Sequence, residues 1–165
     1  MTIRDMTTQD TDGKGREVAV RYHDGSSRKI VIVDEEVPFP EGRLIVSRTD
    51  PQGIITHANE SFVRMSGWTR EELIGAPHHI LRHPDMPAIA FKGLWDTIGQ
   101  GKKWHGYVKN LRKDGRYYWV HAVAVPNVRD GKIVGYASVR RKPSRSKVAE
   151  CDALYRKLLA EEAPK

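Results

Sequence analysis

Cysteine is almost absent: Cys151 is the single one in 165 residues. One thiol excludes an internal disulfide framework and any cysteine-built zinc site. Long apolar runs are missing too. No stretch approaches the roughly 18–20 apolar residues of a membrane helix, and the N-terminus lacks a basic-then-apolar leader. A soluble, cytoplasmic chain without a membrane segment is expected. There is no glycine-rich phosphate loop, no paired nucleophile and base, and no phosphoacceptor-histidine kinase segment, which argues against a turnover enzyme. Acidic residues are the minority, 21 against 28 basic, leaving a net charge of +7. The basic positions are scattered, and the one dense run (Arg140, Arg141, Lys142, Arg145, Lys147) reads as a solvated linker. The charge therefore suits an anionic cofactor or acidic partner better than nucleic acid.

What is present divides into four parts. Residues 1–15 are polar without an apolar period and read as a disordered lead. Residues 16–40 hold two strand-like runs around Asp24-Gly-Ser-Ser27, a turn signal, followed by the stiff linker Val37-Pro-Phe-Pro40. This hairpin either packs on its own chain or swaps into a partner, which leaves a homodimer open. Residues 41–142 carry the main domain, and residues 143–165 an amphipathic helical tail with Val148, Leu154, Tyr155, Leu158 and Leu159 on its apolar positions.

Within the main domain, residues 44–48 and 54–57 form a hairpin about Asp50-Pro-Gln-Gly53. A short helix begins at Asn59, and Thr69-Arg-Glu-Glu72 is a capping box for the next. Asp85 is a candidate N-cap, with Pro87 in the first turn, for a helix whose apolar residues Ala90, Phe91, Leu94, Trp95 and Ile98 fall on one face. Three strands then run from Trp104 to Arg140, separated by Lys113-Asp-Gly115 and Asp130-Gly-Lys132. The order predicts an α+β sandwich: a five-stranded antiparallel sheet with short helices and one longer helix on one face. Trp104, Gly106, Val108 and Asn110 share a sheet face by alternation.

Between the helical segments lies Leu81-Arg-His-Pro-Asp-Met-Pro87, where a cation, an imidazole and a carboxylate sit on a path stiffened by prolines. Arg82 is a planar donor set suited to phosphate oxygens, against the plainer alternative of a surface salt bridge. His83 is either structural or a donor to an anion. Asp85 and Asn59 are either helix caps or ligand contacts. Trp104 is placed for stacking and Asn110 for hydrogen bonding, whereas Trp95 reads as packing.

The ordered set Asp50-x-x-Gly53, Asn59, Ser66-Gly-Trp68, Glu71-Glu-Leu-Ile-Gly75 and Lys113-Asp-Gly115 resembles the PAS fold over about residues 42–142. Within it, Ile55-Thr-His-Ala-Asn59, Gly75-Ala-Pro-His78, Arg82-His-Pro-Asp-Met-Pro87, Trp104-x-Gly106, Val108-Lys-Asn110 and Tyr118-Trp-Val120 are similar to the sensor domain of bacterial aerotaxis receptors. That resemblance implies FAD as cofactor, with Asn59, Arg82, His83 and Asp85 needed to hold it. It also implies a redox or oxygen-sensing role in signal transduction toward a downstream partner. Trp104 and Asn110 are the candidates to contact the flavin ring. Photoreceptor relatives carry an adduct-forming cysteine in the stretch corresponding to 77–81; here there is none, which disfavours adduct photochemistry. Haem bound through His78 or His79 is the alternative cofactor, and a cofactor-free dimerisation module the alternative function.

Overall fold

The alternation seen between Trp104 and Arg141 produces the frame of the molecule. A computed structural model describes residues 4–22 and 24–162. In chain order its elements are β1 (Arg16–Arg21), β2 (Ser27–Ile32), β3 (Ile45–Thr49), β4 (Ile55–Ala58), α1 (Glu60–Ser66), α2 (Arg70–Leu73), a 3₁₀ turn (His78–Leu81), α3 (Ala88–Gly99), β5 (Trp104–Leu111), β6 (Tyr117–Arg129), β7 (Lys132–Arg141) and α4 (Arg145–Glu162). Strands β3 to β7 form one antiparallel sheet in the order β4-β3-β7-β6-β5, with the helices between β4 and β5 over one face. This is the expected α+β architecture.

Short-range chemistry fixes the turns. Asp50 Oδ1 accepts the Gln52 and Ile54 N–H groups, closing the β3–β4 connection. Thr69 and Glu72 make the reciprocal capping box that starts α2. Glu72 also receives Lys113 Nζ at 2.8 Å, while Arg112 donates to the Arg64 and Met65 carbonyls, so the β5–β6 turn is bound to both short helices. Phe62, Leu73, Ile80, Leu81, Ile45 and Tyr118 are buried together between these helices and the sheet.

The N-terminal hairpin packs on its own chain. β1 and β2 pair only with each other, yet Val33 N–H donates to the Gly115 carbonyl and Val37 N–H to the Tyr117 carbonyl. Gly115 has φ +86, and a Cβ there would lie 2.6 Å from the Val31 carbonyl oxygen, so the close approach requires glycine. Met6, Val20, Tyr22, Ile30, Val31, Ile32 and Leu111 make a second apolar cluster. The expected disordered lead is a correction: from residue 4 it folds onto the hairpin. Thr7 and Asp10 form a capping box over the turn Thr8–Thr11, and Met6 N–H donates to the Lys29 carbonyl. Burial of Met6 supplies an anchor that polar composition hides. Residues 1–3 of that lead and 163–165 of the tail lie outside the described residues.

Helix α4 crosses the outward face of the sheet, where Val148 is buried, Tyr155 stacks on Trp119, and the Tyr155 hydroxyl donates to the Tyr107 carbonyl. Leu154, expected on its apolar side, is exposed. At the far end of α4, Glu162 accepts the Ala88 and Ile89 N–H groups. The cap of α3 therefore comes from 74 residues away. Asp85 does not cap it, and Pro87 precedes the helix instead of lying within its first turn. None of the described helices is long and apolar enough to cross a membrane.

Candidate functional site

Between α3 and the sheet lies a cleft of about 650 Å³, within the range of small-molecule sites. Its floor explains why the space exists. The helix-facing positions at the middle of the sheet are small: Ala122 and Ala124 on β6, Ser138 on β7, Ser47 on β3. Its roof is the apolar face of α3, where Phe91, Leu94 and Trp95 are only half-buried because they face the cleft and not a filled core. Trp95, read as packing, thus lines the cleft, its ring edge-on to Tyr136 at 5.8 Å between centroids.

Trp104, Val108 and Asn110 line the floor on one face of β5, as alternation predicts. The Trp104 ring lies along the strand over Gly106, where a Cβ would come within 2.6 Å of it. The Trp-x-Gly spacing is therefore a steric requirement of the ring's position. Asn110 is 4% exposed and pairs through its backbone with Arg82.

The proline loop straddles this edge strand. Arg82 points into the cleft: Nη1 donates to the Arg21 carbonyl at 3.1 Å, the guanidinium lies over the Phe91 ring, and the buried Nε has no partner. Burial pushes the Arg82 pKa down. His83 and Asp85, expected with Arg82 at the cofactor, do not line the cleft beside it. The chain leaves Arg82 in an extended conformation, so the next side chain points the other way. His83 is fully buried behind the loop, its Nδ1 accepting the Asp85 N–H at 3.0 Å. Burial, with the Lys109 charge, drives the His83 pKa down to about 3, so the ring is neutral. Asp85 pairs with Lys109 Nζ at 2.7 Å, on the sheet face away from the cleft. Burial pushes the Asp85 carboxyl up, but the Lys109 hydrogen bond and the surrounding charges outweigh it and hold its pKa low. These two residues fasten the loop from outside.

Asn59, the fourth residue expected at the cofactor, does not line the cleft either. Its Oδ1 accepts both the Phe62 and Val46 N–H groups, and its amide donates to the Leu44 carbonyl. It ties the start of α1 to β3. Asn59→Ala is expected to lower unfolding stability by about 1–3 kcal/mol, measured by urea denaturation of ligand-free protein. Unchanged stability would refute the structural role.

One site residue escaped the sequence reading. Arg140, assigned to a solvated linker, is 2% exposed and sits in the cleft floor. Its Nη2 donates to Ser47 Oγ at 2.5 Å, Nη1 lies 3.2 Å from His78 Nε2, the guanidinium covers the Phe62 ring, and the buried Nε has no partner. Burial lowers its pKa to about 10. The period-2 series Tyr136, Ser138, Arg140 on β7 was the available signal. Among the described residues, neither Arg82 nor Arg140 has a carboxylate within ion-pair distance. Two guanidinium groups with no ion-paired carboxylate in a largely apolar cleft suit a flat aromatic ligand that carries negative charge.

Both histidines of the 3₁₀ turn already face a partner within the chain. Burial, then the Arg140 charge, lowers the His78 pKa to about 3, and its Nε2 faces that guanidinium. His79 stacks on Tyr22 at 3.8 Å with its Nε2 3.3 Å from Asp24 Oδ2. No cluster of metal-ligating side chains occurs among the described residues.

Comparison with known proteins gives a consistent picture. A family model described as PAS fold matches residues 55–140. The aerotaxis receptor of Escherichia coli is 46% identical over 129 residues, 78% of this chain and 26% of the receptor. The biofilm dispersion protein BdlA of Pseudomonas aeruginosa is 36% identical over 95 residues, 54% of this chain and 22% of that protein. The chain thus spans about a quarter of the length of these relatives. Among solved structures, the LOV domain of the blue-light photoreceptor Aureochrome1 superposes with a TM-score of 0.58 at 22% identity, covering 72% of this chain and 86% of that one. A PAS domain from Colwellia psychrerythraea gives 0.52 at 26% identity, covering 62% and 87%.

Proposed function

The chain belongs to the PAS fold family and is of the aerotaxis-receptor type, and on that premise we propose that it is a sensor module holding FAD in the cleft between α3 and the sheet and reporting redox state, or oxygen-linked electron flow, to a downstream signalling partner. The observation that carries this reading is the pair Arg82 and Arg140, two guanidinium groups without carboxylate partners in one apolar cleft. A bound flavin supplies a redox-active ring whose charge and protonation change with electron uptake. Arg82 holds the anionic tail, and the Trp104, Val108 and Ala122 surface accepts the ring. Asn110 and Arg140 supply hydrogen-bond donors to its polar edge. His83, Asp85 and Asn59 act at one remove, keeping the loop and α1 in place. Cys151 lies on α4 against the outward face of the sheet and lines no part of the cleft, so ring reduction, and not thiol addition, is the input.

The visible spectrum of purified protein, with chromatography of the released cofactor, tests the reading. FAD supports it. A haem Soret band, or colourless protein that takes up no added flavin, overturns it. Arg82→Ala is expected to weaken FAD retention roughly 10- to 100-fold, the worth of one or two charge-assisted hydrogen bonds. Asp85→Ala is expected to reduce both loop stability and FAD content. FAD retained in full after both changes removes the loop from the site.

A further inference from the structure

The N-terminal hairpin reaches the cleft only at its turn end. Arg21, at the close of β1, and Tyr22 and Asp24, in the turn after it, line the cleft on the side where Arg82 enters. They meet the main domain at the 3₁₀ turn and the loop that follows it. The Arg21 carbonyl accepts Arg82 Nη1 at 3.1 Å, the Tyr22 ring lies parallel to His79 at 3.8 Å, and Asp24 Oδ2 stands 3.3 Å from His79 Nε2. Tyr22 is fixed within the hairpin itself: it is 5% exposed, and its hydroxyl faces the Arg28 guanidinium, which lies over the Trp68 ring at 5.7 Å.

The two ends of the hairpin are held by different means. At the base, Ile30, Val31 and Ile32 are buried with Leu111, and Gly115 lets the backbones touch. Apolar packing of that kind opens only with the surrounding core. At the turn, the fastenings are a hydrogen bond, a ring stack and an ion pair whose carboxylate is half-exposed. An ion pair in that setting contributes little. An element with a firm base and a lightly held end opens locally, and here the end that opens stands over the cleft.

We propose that the turn end of the β1–β2 hairpin is a gate on the cleft: it lifts for the cofactor to enter or leave, and an occupant of the cleft holds it shut through Arg82. The guanidinium carries five N–H donors in one rigid fork. Nη1 is engaged by the hairpin carbonyl, and the buried Nε has no partner. An anion taken up by the remaining donors fixes the fork, and with it the carbonyl that the fork holds. This rests on the flavin reading given above for the identity of the anion, and adds to it the element that controls access.

Rates of FAD uptake by apoprotein, and of FAD release on dilution, measure the gate in the whole chain. Asp24→Asn keeps the oxygen that accepts the Ser26 N–H and removes the charge facing His79. Uptake and release should both quicken about two- to fivefold, the worth of one partly exposed ion pair, with Kd held within about twofold. Amide exchange over residues 16–22 and 24–33 of the wild-type protein should be slower with FAD bound than without it, a readout that needs no variant. Unchanged rates in Asp24→Asn, faster release with uptake unaltered, or equal hairpin exchange in loaded and empty protein would overturn the gate while leaving the flavin reading intact. Wild type that takes up no flavin overturns both.

Discussion

Arg140→Met is expected to make the ligand-free protein harder to unfold and, in the same molecule, to strip it of cofactor. The two effects have one cause. Arg140 is buried among Phe62, Ser47 and His78 with no carboxylate to neutralise it, and burial has already lowered its pKa to about 10. A shift of that size corresponds to an unfavourable charge environment of about 3 kcal/mol. Methionine fills similar volume, removes that charge, and gives up the hydrogen bonds to Ser47 and His78. The open cleft lets water take those positions. The net gain should be on the order of 1–3 kcal/mol in ligand-free protein, read as a higher urea midpoint with unchanged slope. Flavin retention should fall at least roughly tenfold, since the ligand loses a charged donor inside a low-dielectric site. A variant less stable than wild type that still purifies with FAD would show Arg140 to be a structural residue. The expected combination is the usual exchange between stability and a site kept ready for its ligand.

Mild acid is expected to cost more stability than that substitution gains. His78 and His83 are both buried and neutral, with pKa values lowered to about 3. The geometry agrees: His83 Nδ1 accepts an N–H, and His78 Nε2 faces a guanidinium that can only donate. In the unfolded chain each ring binds a proton near pH 6.5. The folded state takes up fewer protons than the unfolded one, so stability is intact above about pH 6.5 and drains away as pH falls toward 3. Between pH 7 and pH 5 each histidine removes about 2 kcal/mol, and the pair about 4 kcal/mol. Carboxylates are not responsible in this window. Asp10 and Asp114, held at about 2 by arginine partners while burial pushes the other way, lose their contribution only at lower pH. Urea midpoints at pH 7, 6 and 5 measure the effect. A midpoint that does not move across that interval would mean that both rings titrate normally in the folded protein; half the expected shift would mean that one does.

Much of the frame was legible because it is local. The turns at Asp50 and Lys113, the capping box at Thr69, and the shared face of Trp104, Val108 and Asn110 follow from spacing alone. Asn59 behaved as the plainer alternative for an asparagine at a helix start. What spacing misjudged was sidedness in irregular chain. A proline-stiffened loop invites the inference that its polar groups converge, whereas an extended backbone alternates them, so Arg82 enters the cleft and Asp85 leaves it for Lys109. Arg140 was lost for the converse reason: four further basic residues within the next seven positions looked like one solvated run, although the strand period ends at Arg141. Contacts made across long separations left no local trace, among them the hairpin on Gly115 and the carboxylate of Glu162 at the start of α3.

That last contact sets up an antagonism. Glu162 sits in the positive field of a helix N-terminus, and its charge also acts on the Arg82 guanidinium. An anion arriving at Arg82 draws on the same field and repels the same carboxylate. If the cleft takes an anion at Arg82 as proposed, its occupancy and the seating of the final turn of α4 work against each other, equally in both directions by thermodynamic reciprocity.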